Sequence, residues 1–161
     1  MPRQDIEQRL RGELHSDFDV REIASFALGP LRRSMTADQD RRFLHEFENF
    51  IVQTYTQRVF NIQPGVDNIA ADILQVTDAT PIGPDQIVVH SRINQTAARW
   101  VDIEWRVREH EKRLRIIDII IVGISQAHVY RSEFTSVARR NGGIDGLIEA
   151  MRRRNEELRN Q

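Results

Sequence analysis

Apolar residues recur three or four apart through the first third of the chain, then on alternate positions, then three or four apart again. The first spacing predicts helices and the second predicts strands. Residues 4–14 form a short charged helix around Ile6, Leu10 and Leu14. Residues 19–28 form another, carrying Ile23, Phe26 and Ala27, and Gly29-Pro30 interrupts it. Thr36 and Gln39 have the spacing of a capping box. The long helix behind it runs to about Phe60, with Phe43, Leu44, Phe47, Phe50, Ile51, Tyr55 and Val59 on its apolar stripe. Gln63-Pro64-Gly65 reads as a turn, and the period then falls to two.

Strands are expected near 69–77, 86–95, 99–109 and 113–124, the last two as a hairpin around His110. Two helices follow, near 126–140 and 144–158, separated by Asn141-Gly142-Gly143. Ser125 is placed to cap the first of them. Helices, four antiparallel strands and helices again make an α+β fold. The expected architecture is a curved four-stranded antiparallel sheet, an NTF2-like cone, whose N- and C-terminal helices enclose an apolar pocket. No repeat or linker divides residues 1–161, so a single domain is expected.

The most apolar stretch, I-I-D-I-I-I-V-G-I-S at 116–125, sharpens this picture. Side chains alternate between the faces of a strand. Ile116, Ile120 and Val122 fall on one face, and Ile117, Ile119 and Ile121 on the other. A strand apolar on both faces must be covered on both. The cover is either two packed layers or one packed layer and an apolar cavity.

Composition removes whole classes of function. The 161 residues are 40% hydrophobic and 29% charged, which is a globular composition. The net charge of -1 gives no global pull toward nucleic acid. Without cysteine there is no disulfide, thiol catalysis or cysteine-based metal site. No apolar run is long enough to span a membrane. The N-terminus lacks the apolar segment of a signal peptide, so the chain is either cytosolic or a mature form whose leader has been removed.

Candidate chemistry is sparse. His15, His45, His90, His110 and His128 show no metal-ligand spacing, and no phosphate loop, dinucleotide fingerprint or nucleophile elbow occurs. Asp118 is the one ionisable residue inside the apolar strand. It reads either as a general base or head-group contact, or as a structural carboxylate held by an arginine or backbone amides. The aromatic stripe is either core or pocket wall. Arg152, Arg153 and Arg154 read as a solvated helix face or as a patch for an anionic partner.

Three ordered blocks carry a family likeness. They are F-D-V-R-E-I-A-S-F-A-L-G at 18–29 with M-T-A-D-Q-D-R-R-F-L-H-E-F at 35–47 and Q-T-Y at 53–55; W-V-D-I-E-W-R-V-R at 100–108 with the apolar strand; and Y-R-S-E-F at 130–134 with G-I-D-G-L-I at 143–148. Over residues 17–151 the sequence resembles the MlaC, or toluene-tolerance, family, which includes the hopanoid-associated HpnM. Residues 1–16 and 152–161 are then peripheral helical ends. The sequence departs from the family pattern at E-H-E-K-R-L in the hairpin, with Leu114 at a tryptophan position, and at His128.

The resemblance implies a periplasmic carrier that performs no covalent chemistry. It implies a phospholipid, a hopanoid or another apolar ligand, passed between an outer-membrane lipoprotein complex and an inner-membrane ABC transporter with an MCE-domain subunit. No metal or further cofactor is implied. The expected walls are Phe43, Phe47, Phe50, Ile51, Ile103, Trp105, Ile117, Ile119, Ile121, Tyr130 and Phe134. The choice of Ile117, Ile119 and Ile121 depends on the hairpin register. Arg106, Asp118 and Arg131 are rim or structural candidates. The competing expectation is a small isomerase or dehydratase pairing Asp118 with His90. A third is a binding module whose apolar faces bury one another.

Overall fold

The computed structural model describes residues 2–61, 74–96 and 99–161. The helices α1 (Arg3–Asp17) and α2 (Val20–Leu28) come first. A 3-10 turn at Gly29–Ser34 then leads into the long α3 (Ala37–Asn61). Among the described residues the strands are β1 (Leu74–Pro81), β2 (Gln86–Thr96), β3 (Arg99–His110), β4 (Arg113–Ile121) and β5 (Ile124–Ser125). Helices α4 (Gln126–Arg140) and α5 (Ile144–Arg159) close the fold. The turn expected at 63–65, the first part of the strand expected at 69–77 and the side chain of Val59 lie outside the described residues.

Local chemistry sets most boundaries. The Thr36 hydroxyl accepts from the Gln39 amide at 3.1 Å, and the Gln39 side chain accepts from the Thr36 amide at 2.9 Å, closing the capping box. Asp19 caps α2 through the Glu22 amide, and Ser125 caps α4 through the His128 amide. Gly146 allows α5 to start against the end of α4. A Cβ there would stand 1.7 Å from the Asn141 carbonyl oxygen.

The sheet is an antiparallel meander in the order β1-β2-β3-β4-β5. Its count differs from the four strands expected. Val122 and Gly123, at φ 48° and 77°, turn the chain back on itself, so Ile124 and Ser125 pair with Ile121 and Ile120. Positive φ at two central residues marks the tight hairpin turn that usually holds Asn-Gly. The β3–β4 turn repeats this at Glu111 and Lys112, with φ 50° and 62°. Left-handed backbone costs a non-glycine residue about 1–2 kcal/mol, so both turns are held against local preference. The sheet is open, and β1 is exposed along its whole length.

A bulge in β4 decides which side chains face the helices. Ile121 and Ile119 stand opposite Ile103 and Trp105, and Asp118 opposite Arg106; the register then slips, so Ile116 stands opposite Val107. The extra residue is Ile117. Simple alternation would separate Ile116 from Ile119, and the bulge returns Ile116 to the same face.

The continuous apolar core is built by helices. Phe43, Phe47 and Val52 of α3 meet Phe134 and Ala138 of α4 and Leu147, Ile148 and Met151 of α5. Leu14 of α1 and Ala24, Ala27 and Leu28 of α2 complete it. Among the described residues, no strand residue belongs to this cluster. Helices α1, α2 and α4 instead approach the sheet at β4. Phe18 forms a parallel bridge with Ile116, and the Asp19 amide donates to the Ile116 carbonyl at 2.9 Å. The α1–α2 junction is thereby fixed to the bulged strand.

Candidate functional site

Where the helices meet β4, they do not close against it. A cavity of about 400 Å³ remains between them. Helix α1 lines it with Leu10, Glu13, Leu14 and Asp17, and the segment after α1 with Phe18, Val20 and Ile23. Helix α3 adds Phe47, Ile51, Val52 and Tyr55. The sheet supplies Trp105, Ile116, Asp118 and Ile119, and α4 supplies Gln126, Ala127 and Tyr130.

The wall is apolar because each element turns its buried stripe toward it. Phe47 belongs to an aromatic cluster in which Phe43 lies 5.9 Å away, Phe134 6.0 Å and Tyr130 6.2 Å between ring centroids. Their packing holds the Phe47 and Tyr130 rings in place. Burial pushes the Tyr130 hydroxyl well above the usual phenol range, so it stays neutral. The Trp105 indole N–H donates to the Ser91 hydroxyl at 2.8 Å, and that hydroxyl donates to the Ile103 carbonyl at 2.8 Å. Ser91 thus satisfies the polar edge of the indole and sets its orientation.

Asp118 is 8% exposed and is held from three sides. One oxygen accepts from the Ile119 amide at 2.8 Å and the Ala127 amide at 3.1 Å; the other accepts from the Ser125 hydroxyl. The carboxylate ties β4, β5 and the first turn of α4 together. Arg106 stands opposite it in the ladder but donates to Gln86 at 2.9 Å. His90 does not reach the cavity; it lies against Glu104 at 3.0 Å and Thr80 at 3.2 Å. The described residues therefore bring no acid–base pair of Asp118 and His90 together.

The expected wall residues divide. Phe47, Ile51, Trp105, Ile119 and Tyr130 line the cavity. Phe43 is buried behind them in the helical core. Phe50 and Phe134 border a second hollow, of about 450 Å³, between α3, α4 and α5. Ile103 and Ile121 lie on the inner face beside Trp105 and Ile119 without lining the cavity, and Ile117 is taken out of line by the bulge. Arg131 is also elsewhere, with its guanidinium 5.1 Å from the Phe26 ring and close against Gly29.

The residues missed from sequence lie mainly on α1 and at its junction with α2. Residues 1–16, expected as a peripheral end, supply part of the wall. Leu10 and Leu14 showed an apolar spacing, but nothing local says that α1 lies over β4. That placement comes from the Phe18–Ile116 bridge, a long-range contact. No group of three or more histidine, aspartate or glutamate side chains among the described residues could hold a metal ion. No described helix is long and apolar enough to cross a membrane.

Comparison with known proteins agrees with this geometry. No curated protein matches the sequence. The fold is similar to that of a phospholipid-binding protein from Ralstonia solanacearum, solved in complex with a phospholipid. The TM-score is 0.78 at 21% identity, covering 98% of this chain and 84% of that one. The MlaC protein family matches residues 2–153, from the first helix to the last and across every element that walls the cavity. The chain belongs to the MlaC family.

Proposed function

We propose that the protein is a phospholipid carrier, a single lipid-binding domain over residues 1–161 whose cavity between α1, α3, α4 and β4 receives an acyl chain. The observation that carries this reading is an apolar cavity of about 400 Å³ in a chain of the MlaC family. That volume falls within the roughly 300–1,000 Å³ of small-molecule binding sites, the scale of one acyl chain. Each buried methylene is worth about 0.8 kcal/mol, so a chain of about 14 contributes on the order of 11 kcal/mol. A membrane offers the same chain a similar gain, so transfer in either direction is nearly balanced. The head group is costly to bury and stays at the mouth.

In this reading Phe47, Ile51, Trp105, Ile119 and Tyr130 touch the chain. Phe43, Phe50 and Phe134 act through the packing of Phe47 and Tyr130. Ile103 and Ile121 continue the apolar path along the sheet, which curves with the helices into a cone around the lipid. Asp118 holds the wall and performs no chemistry. The family supports a periplasmic location and exchange between an outer-membrane lipoprotein complex and an inner-membrane MCE-domain ABC transporter, with no catalytic step. Organic extraction of the purified, denatured protein followed by mass spectrometry tests the ligand. Phospholipid near one per protein is expected, and an extract free of lipid would count against the proposal.

A further inference from the structure

Among the described residues that line the cavity, two are exposed, Glu13 and Asp17, and they mark where the cavity meets water. Both are carboxylates, four residues apart on α1. The other ionisable acid in the lining, Asp118, is committed to Ser125 and two amides. Among the described residues, no lysine, arginine or histidine lines the cavity. Of the bases near α1, Arg9 lies 3.5 Å from Glu13, and Arg11 and His15 lie 3.9 and 3.2 Å from Glu48; Arg58 of α3 stacks over the Tyr55 ring of the wall at 5.2 Å. The Arg9–Glu13 pair is exposed on both sides, where such pairs hold each other only weakly. Asp17 accepts from the neutral Ser16 hydroxyl at 2.9 Å.

Helix physics disfavours this arrangement. Like charges four apart repel along a helix face. Asp17 is also the last residue of α1, the end that favours a cation. The acids alone would not make a site; the apolar cavity beneath them does. We infer that this mouth selects lipids whose head group carries an amine over lipids with a net anionic head group, an inference that rests on the carrier reading. A head group excluded from the apolar interior sits beside Glu13 and Asp17, where a cationic amine is attracted and a bare phosphodiester repelled. Opposite charges about 4 Å apart in water give roughly a fivefold preference. The effect fades as salt shortens the Debye length.

The test offers the protein vesicles containing equal parts phosphatidylethanolamine, phosphatidylcholine and phosphatidylglycerol with matched acyl chains. Lipid extracted from the re-isolated protein is then quantified. Phosphatidylethanolamine and phosphatidylcholine, each with a cationic head-group nitrogen, should each exceed phosphatidylglycerol about fivefold at low salt and less at high salt. Glu13→Gln with Asp17→Asn should bring the ratio to that of the vesicle, and Asp17→Arg should favour phosphatidylglycerol. Circular dichroism should show these variants melting close to the parent, because Glu13→Gln removes the exposed Arg9–Glu13 pair along with a like-charge repulsion of similar size. Equal uptake by the parent, or a ratio unmoved by the variants, overturns the inference and leaves the carrier reading standing. No uptake of any lipid overturns both.

Discussion

Phe47→Ala should cost the lipid-free protein about 3–5 kcal/mol, read as a lower urea midpoint at unchanged slope. The ring is 1% exposed and stands at the centre of the aromatic cluster, with Phe43, Tyr130 and Phe134 around it. A large-to-small change is most costly where the surroundings cannot collapse into the gap. Here they cannot. One side of Phe47 is rigid helical core and the other is already a cavity, so the deleted volume adds to empty space. The same ring both stabilises the helices and separates the packed core from the hollow. A loss below about 1 kcal/mol would mean that the helices repack freely and that the cavity has no fixed wall.

Asp118→Ala should cost about 3–5 kcal/mol on the same measurement. The carboxylate is buried and takes the Ile119 and Ala127 amides and the Ser125 hydroxyl. Alanine leaves those donors without their acceptor, and Ser125 also caps α4 through the His128 amide. The β4–β5 turn, already carrying Val122 at positive φ, loses the strap that closes it. Asp118→Asn should cost less, about 1–2 kcal/mol, because its oxygen can still accept from the two amides. A neutral effect of Asp118→Ala on stability would return this residue to the candidates for head-group contact or chemistry.

Much of the fold was legible because its cues are local. The capping box at Thr36 and Gln39, the cap at Ser125 and the glycine stop at 142–143 mark helix ends through contacts a few residues apart. The hairpin of β3 and β4 follows from two alternating runs with a short turn. The site was only half legible, for two physical reasons. Alternation assigns strand faces only while the ladder is regular, and the bulge at Ile117 replaced that residue by Ile116 on the inner face. Helical spacing shows that Leu10 and Leu14 need cover but not what covers them, and the Phe18–Ile116 bridge supplies the answer. Asp118 was ambiguous for the same reason, since Ala127 donates to it from nine positions away across the β4–β5 turn.

The β4 wall offers the most direct test of a chain-sized cavity. Ile119 is half-buried, lines the hollow and sits opposite Trp105 in the ladder. Ile119→Trp places an indole where the acyl chain is proposed to lie, without removing a core contact. Uptake of labelled phospholipid from vesicles should approach one molecule per parent protein and fall several-fold in the variant, while its melting temperature stays level or rises. Equal uptake by the two proteins, or none by the parent, would contradict a lipid seated between β4 and the helices.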